Sequence, residues 1–179
     1  MEHSIAYTLG MLVGILAAIG LAVLIWAVYR RRFGKAEYDE RQKLAQGQAY
    51  KAAFYTLIIY GTVYGLFDML TGLRWCELYT GLFIGILLSV LVFAIICIRQ
   101  DAYISFRRKP AASYALLLGL AAVNITIGVL HLNEPGYFID GGLLTAQVIN
   151  PLVGVMLVLV TAAMAVRDAR RRRNERPEA

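Results

Sequence analysis

The sequence predicts an all-α integral membrane protein: a helical bundle of five transmembrane helices, with the N-terminus outside and the C-terminus in the cytoplasm. Three observations predict it. Five apolar stretches are each long enough to cross a hydrocarbon core about 30 Å thick, at about 1.5 Å of helix per residue. With five spans, all but one of the basic residues fall on one side of the membrane. Finally, 59% of the 179 residues are hydrophobic, which leaves too little polar sequence for a water-exposed domain.

The five predicted spans follow one another along a chain that is expected to form a single transmembrane domain, residues 1–179. Each span should be helical because the bilayer core offers no hydrogen-bond partners to backbone N–H and C=O groups. The short connection Thr71–Cys76 makes the second and third spans a hairpin. The predicted spans are Ile5–Tyr29, Ala52–Leu70, Glu77–Ile98, Ala112–Leu132 and Leu143–Val166.

The orientation follows from the distribution of Lys and Arg, which are enriched in cytoplasmic loops. Of the 18 Lys and Arg residues, only Arg74 falls on the exported side of a five-span chain. The others occupy the first connection, the third connection and a basic cytoplasmic tail, residues 167–179. This placement predicts contacts with the anionic headgroups of the lipid bilayer, and it argues against nucleic acid as the partner of the net charge of +6.

Cys76 and Cys97 lie at opposite ends of the third predicted span. About 31 Å of helix separates them, whereas a disulfide requires Cα atoms within about 7 Å of each other. The sequence therefore predicts two free cysteines that act as small apolar residues.

Small residues recur at four-residue spacing in three of the predicted spans. This spacing lets helix backbones approach closely in lipid, where close packing is what drives helix association. It predicts a compact bundle, with internal packing favoured over a dimer seam. The residues are Gly10/Gly14, Gly61/Gly65 and Gly81/Gly85, the last pair continued by Ser89.

The polar segment 37–51 leads into the second span without a proline. Two acid-before-base pairs at i,i+4 spacing, Glu37/Arg41 and Asp39/Lys43, favour helix there. One helix of about 34 residues, from Glu37 to the end of the second span, is expected to project into the cytoplasm.

Two short polar segments should meet at the cytoplasmic ends of the second and third spans, because these spans form a hairpin. Their meeting would allow an ion pair between Arg41 and Asp101. Two interpretations stay open: helix ends that are simply solvated, or a docking surface for a cytosolic or membrane protein. The partner-contact candidates are Asp39, Glu40, Arg41, Gln42, Asp101 and Tyr103.

These segments belong to the runs YDERQKLAQGQAYKAAFYTL and IRQDAYISF. They resemble a family of small uncharacterised polytopic membrane proteins of Gram-positive bacteria, in which a DERQ motif precedes one span and a DAY motif follows the next. The resemblance covers roughly residues 37–106 and departs at Gln46-Gly47-Gln48, where Arg-Gly-Lys is expected. It implies a location in the bacterial cytoplasmic membrane, and no known reaction.

Carboxylates and an imidazole on the exported side form a second group of candidates. These are ligand types of Zn²⁺ and other divalent ions, but they come from separate segments without a tight metal-binding spacing. Asp68 is the foremost candidate because ionisable residues inside spans are costly and often functional; a carboxylate reaching the interface is the alternative. The metal or proton-site candidates are Asp68, Glu77 and His131, with Glu134, Asp140, Glu2 and His3 on the same side.

Polar side chains inside the fourth and fifth spans form the third group: Asn124, Gln147 and Asn150. Hydrogen bonding between helices is the first interpretation, and a path for an ion or a polar solute is the alternative. Pro151, which has no amide donor, is expected to kink the fifth helix.

The sequence therefore favours a non-enzymatic membrane protein that acts as an accessory or sensory partner and needs no cofactor. No phosphate-binding loop, Ser/His/Asp arrangement or pair of catalytic carboxylates is recognisable. A small homo-oligomeric transporter or channel, working through Asp68, Asn124, Gln147 and Asn150, is the alternative. An intramembrane enzyme that uses His131 is the third hypothesis.

Overall fold

The computed structural model describes residues 39–103 and 110–174, together with eight residues between positions 13 and 27. Those eight are all helical and belong to an N-terminal unit, Met1–Glu37. A second unit, Tyr38–Ala179, contains all of the other described residues. Most of the predicted first span, the pair Gly10/Gly14 and Glu37 lie outside the described residues.

Four long helices build the second unit. Within the described residues, each of them is long and apolar enough to cross a membrane. They expose many large apolar side chains, such as Phe54, Ile59 and Leu130, an arrangement that is costly in water and is expected in lipid. The described chain is thus a helical membrane protein with four candidate spans. The helices are α1 (Glu40–Thr71), α2 (Leu78–Arg99), α3 (Pro110–Leu130) and α4 (Ile149–Asn174).

Helix α1 runs without a break from the polar segment into the second predicted span, as expected. It begins with a capping box, in which the Asp39 carboxylate accepts from the backbone N–H of Gln42 and the Gln42 side chain accepts from that of Asp39. This exchange satisfies amides that have no partner within the helix. The helix ends at Thr71 and is capped by Gly72, whose φ of 63° is left-handed, as is usual for a glycine that follows a helix.

The helices pack in the order α1–α2–α4–α3. Helices α1 and α2 form the predicted antiparallel hairpin, α2 and α4 run parallel, and α3 packs antiparallel to α4. The bundle therefore has two ends. The basic end is where α1 and α3 begin and α2 and α4 end; the hairpin end is where α1 and α3 end and α2 and α4 begin.

Glycines explain how closely α1 approaches α2. Gly81 and Gly85 are buried beneath the rings of Tyr64 and Tyr60, and a Cβ atom at either glycine would lie 2.4 Å from a ring atom. Ser89 continues this face and donates a hydrogen bond to the Ala53 carbonyl of α1 over 2.7 Å. Internal packing is therefore confirmed for this small-residue pattern.

The second small-residue pair, which lies on α1, is not packed against another described helix. Gly61 and Gly65 lie on an exposed face of α1, and an added Cβ atom would meet nothing within 4 Å. The close contact between α3 and α4 instead involves two glycines that the four-residue spacing did not identify. A Cβ atom on Gly154 would lie 2.6 Å from Ile125 Cγ1, and one on Gly128 would lie 3.0 Å from Pro151.

The fifth predicted span, Leu143–Val166, is wrong at its start. Its first residues form a β-hairpin, in which β1 (Ile139–Asp140) pairs with β2 (Leu143–Leu144), followed by a 3₁₀ helix over Ala146–Val148. Because Gly141 and Gly142 adopt positive φ, they make the tight turn between the strands without steric cost.

Pro151 also lies nearer the start of its helix than the predicted span implied, so its expected kink has no cause within α4. Helix α4 begins at Ile149, so Pro151 lies in its first turn, where no intrahelical amide bond is lost. At the other end, the part of the basic tail up to Asn174 is helical and continues α4.

Candidate functional site

The two motif-like segments meet at the basic end through side-chain amides of α1. Gln42 donates to the Asp101 carbonyl over 2.7 Å, and Gln46 donates to the Ala102 carbonyl over 2.9 Å. Gln42 is only 7% exposed and Ala102 is 1% exposed. Helix α1 therefore binds the backbone of the loop that follows α2, and these two hydrogen bonds do not depend on the side chains of that loop.

The shape of this loop explains why its carbonyls reach α1. Asp101 has a left-handed φ of 56°, and it follows the last residues of α2. Its N–H donates to the Ile98 carbonyl, and the N–H of Ala102 donates to the Cys97 carbonyl over 2.8 Å. This is a Schellman motif, with an aspartate where a glycine is usual; Asp tolerates the left-handed region better than most residues.

Small side chains allow α1 to lie directly against this loop. Ala45 and Ala49 are buried on α1, one and two turns from the helix start, and they pack against Cys97 and Ala102. Tyr103 is half-buried and contacts both this cluster and a second one formed between α2 and α4. The contact is therefore tightly packed as well as hydrogen-bonded.

Polar contacts continue from the loop to the other two helices. The Asp101 carboxylate lies 3.5 Å from Nε of Arg167, and Arg167 in turn contacts Asp168 at 2.6 Å. The Tyr114 hydroxyl of α3 donates to Asp168 over 2.8 Å. Together these contacts link all four long helices of the second unit. We call this set the basic-end network: Gln42, Gln46, Asp101, Ala102, Arg167, Asp168 and Tyr114.

The ion pair expected between Arg41 and Asp101 is not among the contacts of the described residues. Asp101 faces Arg167 of α4 instead. The reason is the orientation of α1: its buried face carries Gln42, Ala45 and Ala49, and Arg41 lies about 100° from Gln42 around the helix.

Arg41 contributes to an exposed groove beside the network. The groove measures about 540 Å³ and lies between the first turns of α1 and Gln100 at the end of α2. Leu44 is 71% exposed there. We call it the α1 groove; it is lined by Glu40, Arg41, Leu44, Ala45, Gln48 and Gln100.

The structure thus divides the partner-contact candidates. Asp39 caps α1, Gln42 and Asp101 are engaged in the network, and Glu40 and Arg41 line the groove. Sequence reasoning missed the remaining participants. Gln46 could have been found, because it lies four residues after Gln42 and therefore on the same helix face. The others are Leu44, Gln48, Gln100, Tyr114, Arg167 and Asp168.

The foremost exported-side candidates, Asp68, Glu77 and His131, have separate local contacts at the hairpin end, although His131 Nε2 lies 4.0 Å from the carboxylate of Glu134. Asp68 pairs with Arg74 at 3.3 Å on the surface, and Glu77 accepts from the Ala146 N–H at the start of the 3₁₀ helix. His131 donates through Nδ1 to its own helix, at the Ile127 carbonyl. Among the described residues, no three His, Cys, Asp or Glu side chains come together in a way that could hold a metal ion.

The intramembrane polar candidates do not join helices either. Asn124 donates to the Leu120 carbonyl of its own helix over 2.8 Å, Gln147 is exposed in the 3₁₀ helix, and Asn150 is half-buried in the first turn of α4. Bonds between helices are made elsewhere, such as the one from the Tyr60 hydroxyl to the Gly81 carbonyl. Both cysteines are free and buried, as predicted.

Fold and site together define a helical membrane protein with four candidate spans, which are joined at one end by a polar network. No protein-family model matches this chain, no curated protein is significantly similar to it, and no solved structure matches it.

The hydrogen bonds from α1 to the loop give a first prediction. In the variant Gln42→Glu/Gln46→Ala, both amide donors are lost, while the carboxylate introduced at position 42 still provides the capping-box acceptor. Each bond contributes about 1 kcal/mol, so the loss of both, about 2 kcal/mol, should make local opening of the basic end about thirtyfold more frequent. The readout is the rate of alkylation of buried Cys97, measured in a Cys76→Ala background.

The control for this variant is Gln48→Ala. Gln48 lies on the same helix but contacts only Gln100, over 3.4 Å. An alkylation rate at Cys97 that is the same in the control and in the double variant would contradict the prediction.

Proposed function

We propose that this protein is a non-enzymatic, five-span component of the bacterial cytoplasmic membrane that acts as an accessory or sensory partner of another protein. Four candidate spans and the apolar stretch 5–29 supply the five spans. The excess of Lys and Arg supports an orientation with the basic end and the C-terminus in the cytoplasm and the N-terminus outside.

The α1 groove is the observation that carries the proposed docking role. At about 1.5 Å per residue the 32 residues of α1 measure about 48 Å, well beyond a hydrocarbon core of about 30 Å. The first turns of α1 therefore project into the aqueous phase. The basic-end network holds one face of these first turns in place, so the opposite face of α1 forms a rigid surface.

The chemistry of the groove suits a protein segment. Leu44 offers an exposed apolar anchor, and Arg41, Gln48 and Gln100 surround it with hydrogen-bonding groups. An apolar centre with a polar rim is the usual composition of a protein interface. A partner bound there would contact α1 within one turn of Gln42, and through Gln42 and Asp101 it would be linked to α4.

Site-specific cross-linking tests this role. A photoreactive amino acid at position 44, in native membranes, is expected to capture one defined protein. The variant Arg41→Ala, tested with the same probe, should lower the yield several-fold. Lys43→Ala is the matched control, because Lys43 lies about 160° from Arg41 around the same helix and outside the groove.

Two outcomes would contradict the docking proposal. Capture that is equal with the probe at position 44 and at Tyr50, which is exposed further along α1 and outside the groove, would show that the groove has no special role. Loss of capture in Lys43→Ala as well as in Arg41→Ala would indicate a general charge effect.

A further inference from the structure

Helices α2 and α4 run side by side and leave a crevice between them whose chemistry changes along its length. Near the middle of the two helices, it is an apolar slot of about 210 Å³. Nearer the basic end, it widens to a groove of about 820 Å³ that contains four arginines. We call the whole feature the α2/α4 crevice. The apolar part is lined by residues such as Ile84, Leu88, Leu91, Leu152, Met156 and Leu159.

Both parts lie on the same face of each helix. On α2 the lining residues Leu88, Leu91, Ile95 and Ile98 recur at spacings of three and four, which places them one above another. The lining residues of α4 recur in the same way from Leu152 to Arg170. The apolar slot therefore continues directly into the basic groove.

Two of the arginines have no acidic partner in the part of the chain that the structure describes. Arg167 is engaged with Asp101 and Asp168, but no carboxylate pairs with Arg99 on α2 or with Arg170 on α4. Both are exposed, and they approach the groove from its two sides. Guanidinium groups bind phosphate with paired hydrogen bonds and in preference to most other anions.

We propose that the α2/α4 crevice binds one anionic phospholipid, with its phosphate between Arg99 and Arg170 and an acyl chain along Leu88 and Leu159. A free phosphate would use only the basic groove and would leave the aliphatic slot without a role. From Leu159 to Arg170 the helix rises about 16 Å, which is close to half of the hydrocarbon core. A single lipid molecule therefore reaches from one part to the other.

The lipid site is independent of the proposed docking role, because the α1 groove and the α2/α4 crevice share no lining residue. It also differs from the general attraction of a basic surface for anionic headgroups. That attraction involves any exposed arginine near the membrane, whereas the crevice requires a particular pair of arginines and a particular hydrocarbon surface.

Native mass spectrometry of the full chain, extracted from membranes in mild detergent, tests the proposal. The wild type should retain one anionic phospholipid and should take up added phosphatidylglycerol in preference to phosphatidylcholine. In Arg99→Gln/Arg170→Gln, retention should fall about tenfold, since two charge-assisted contacts are lost. Leu88→Trp/Leu159→Trp, which fills the slot without changing the charge, should also reduce retention.

Arg172→Gln/Arg173→Gln is the matched control, because it removes the same charge from the opposite groove beside Tyr114. Retention lost equally in this control would overturn the proposal in favour of a non-specific basic surface. Displacement of the lipid by inorganic phosphate, with no effect of Leu88→Trp/Leu159→Trp, would overturn it in favour of a simple anion site. Wild-type alkylation rates at Cys97 in each variant would verify the fold.

Discussion

Replacing Gly154 by leucine is expected to separate α3 from α4 and to cause a large loss of stability. A Cβ atom at this position would lie 2.6 Å from Ile125 Cγ1, 3.1 Å from the Ile125 backbone nitrogen and 3.2 Å from the Ala121 carbonyl oxygen. Two of these three atoms belong to the backbone, so no change of rotamer can make room. The helices must move apart, at a cost of about 3 kcal/mol or more.

The loss of packing should be large because, among the described elements, α3 packs mainly on α4. A membrane helix without a neighbour keeps its own hydrogen bonds, so α3 should stay helical while its packing is lost. The measurement is the thermal midpoint in detergent, followed by the reaction of a thiol-reactive dye with buried Cys76 and Cys97 as the fold opens.

Gly119→Leu is the control on the same helix pair. A Cβ atom at Gly119 meets nothing within 4 Å, and leucine is the better helix former by about 0.8 kcal/mol. This variant should be neutral or slightly stabilising. Equal midpoints for Gly154→Leu and Gly119→Leu would mean that the close approach of α3 and α4 is not what holds these helices together.

This pair of glycines also shows what sequence can and cannot predict about packing. The spacing of small residues predicted a close helix approach at Gly81 and Gly85, which share one face of α2 and lie beneath Tyr64 and Tyr60. Spacing reveals which residues share a face, but it does not reveal which face meets a neighbour. Gly61 and Gly65 have the same spacing and lie exposed, whereas Gly154 forms a close contact without belonging to such a pair.

The fold was predicted best where local physics decides it. The length of an apolar stretch and the absence of proline predicted α1 as one continuous helix, and a short connection predicted its hairpin with α2. The start of α4 was missed because residues 143–148 are apolar enough for a span. Only the pairing of Leu143 and Leu144 with Ile139 and Asp140 shows that they form a strand and not a helix.

The site was predicted in position but not in detail. The hairpin brings the segments around Gln42 and Asp101 together, as expected. Which side chain faces the loop depends on the rotation of α1, and that rotation places Gln42 and not Arg41 against it. Asp168 was hidden for another reason: an acid among the arginines at the end of α4 suggests a solvated helix end, and only the packing of α3 brings the Tyr114 hydroxyl to it.

Replacing Asp168 by alanine is expected to loosen the whole basic end. The side chain of Arg167 is 18% exposed and that of Asp168 is 24% exposed, so water screens their interaction only in part. Without Asp168, Arg167 keeps only the more distant Asp101, and the Tyr114 hydroxyl loses its acceptor. Hydrogen bonds to charged groups are each worth about 1.5–3 kcal/mol, and a loss of about 3 kcal/mol is expected because the remaining arginine is left poorly compensated.

Two further variants separate the contributions to this loss. Tyr114→Phe removes only the hydroxyl and its one bond to the carboxylate, so it should cost about 1.5 kcal/mol. Asp168→Asn keeps an acceptor but removes the charge, so it should fall between the two. If Tyr114 and Asp168 act as a unit, the double variant Tyr114→Phe/Asp168→Ala should be no worse than Asp168→Ala alone.

The location of the effect distinguishes the network from general destabilisation. Cys97 lies at the basic end and Cys76 at the hairpin end, and both are buried. Single-cysteine backgrounds therefore report the two ends separately. Asp168→Ala should accelerate the alkylation of Cys97 about a hundredfold, in line with about 3 kcal/mol, and that of Cys76 far less. Equal acceleration at both ends would mean that Asp168 supports the global fold, and that the four helices are not held together locally by the basic-end network.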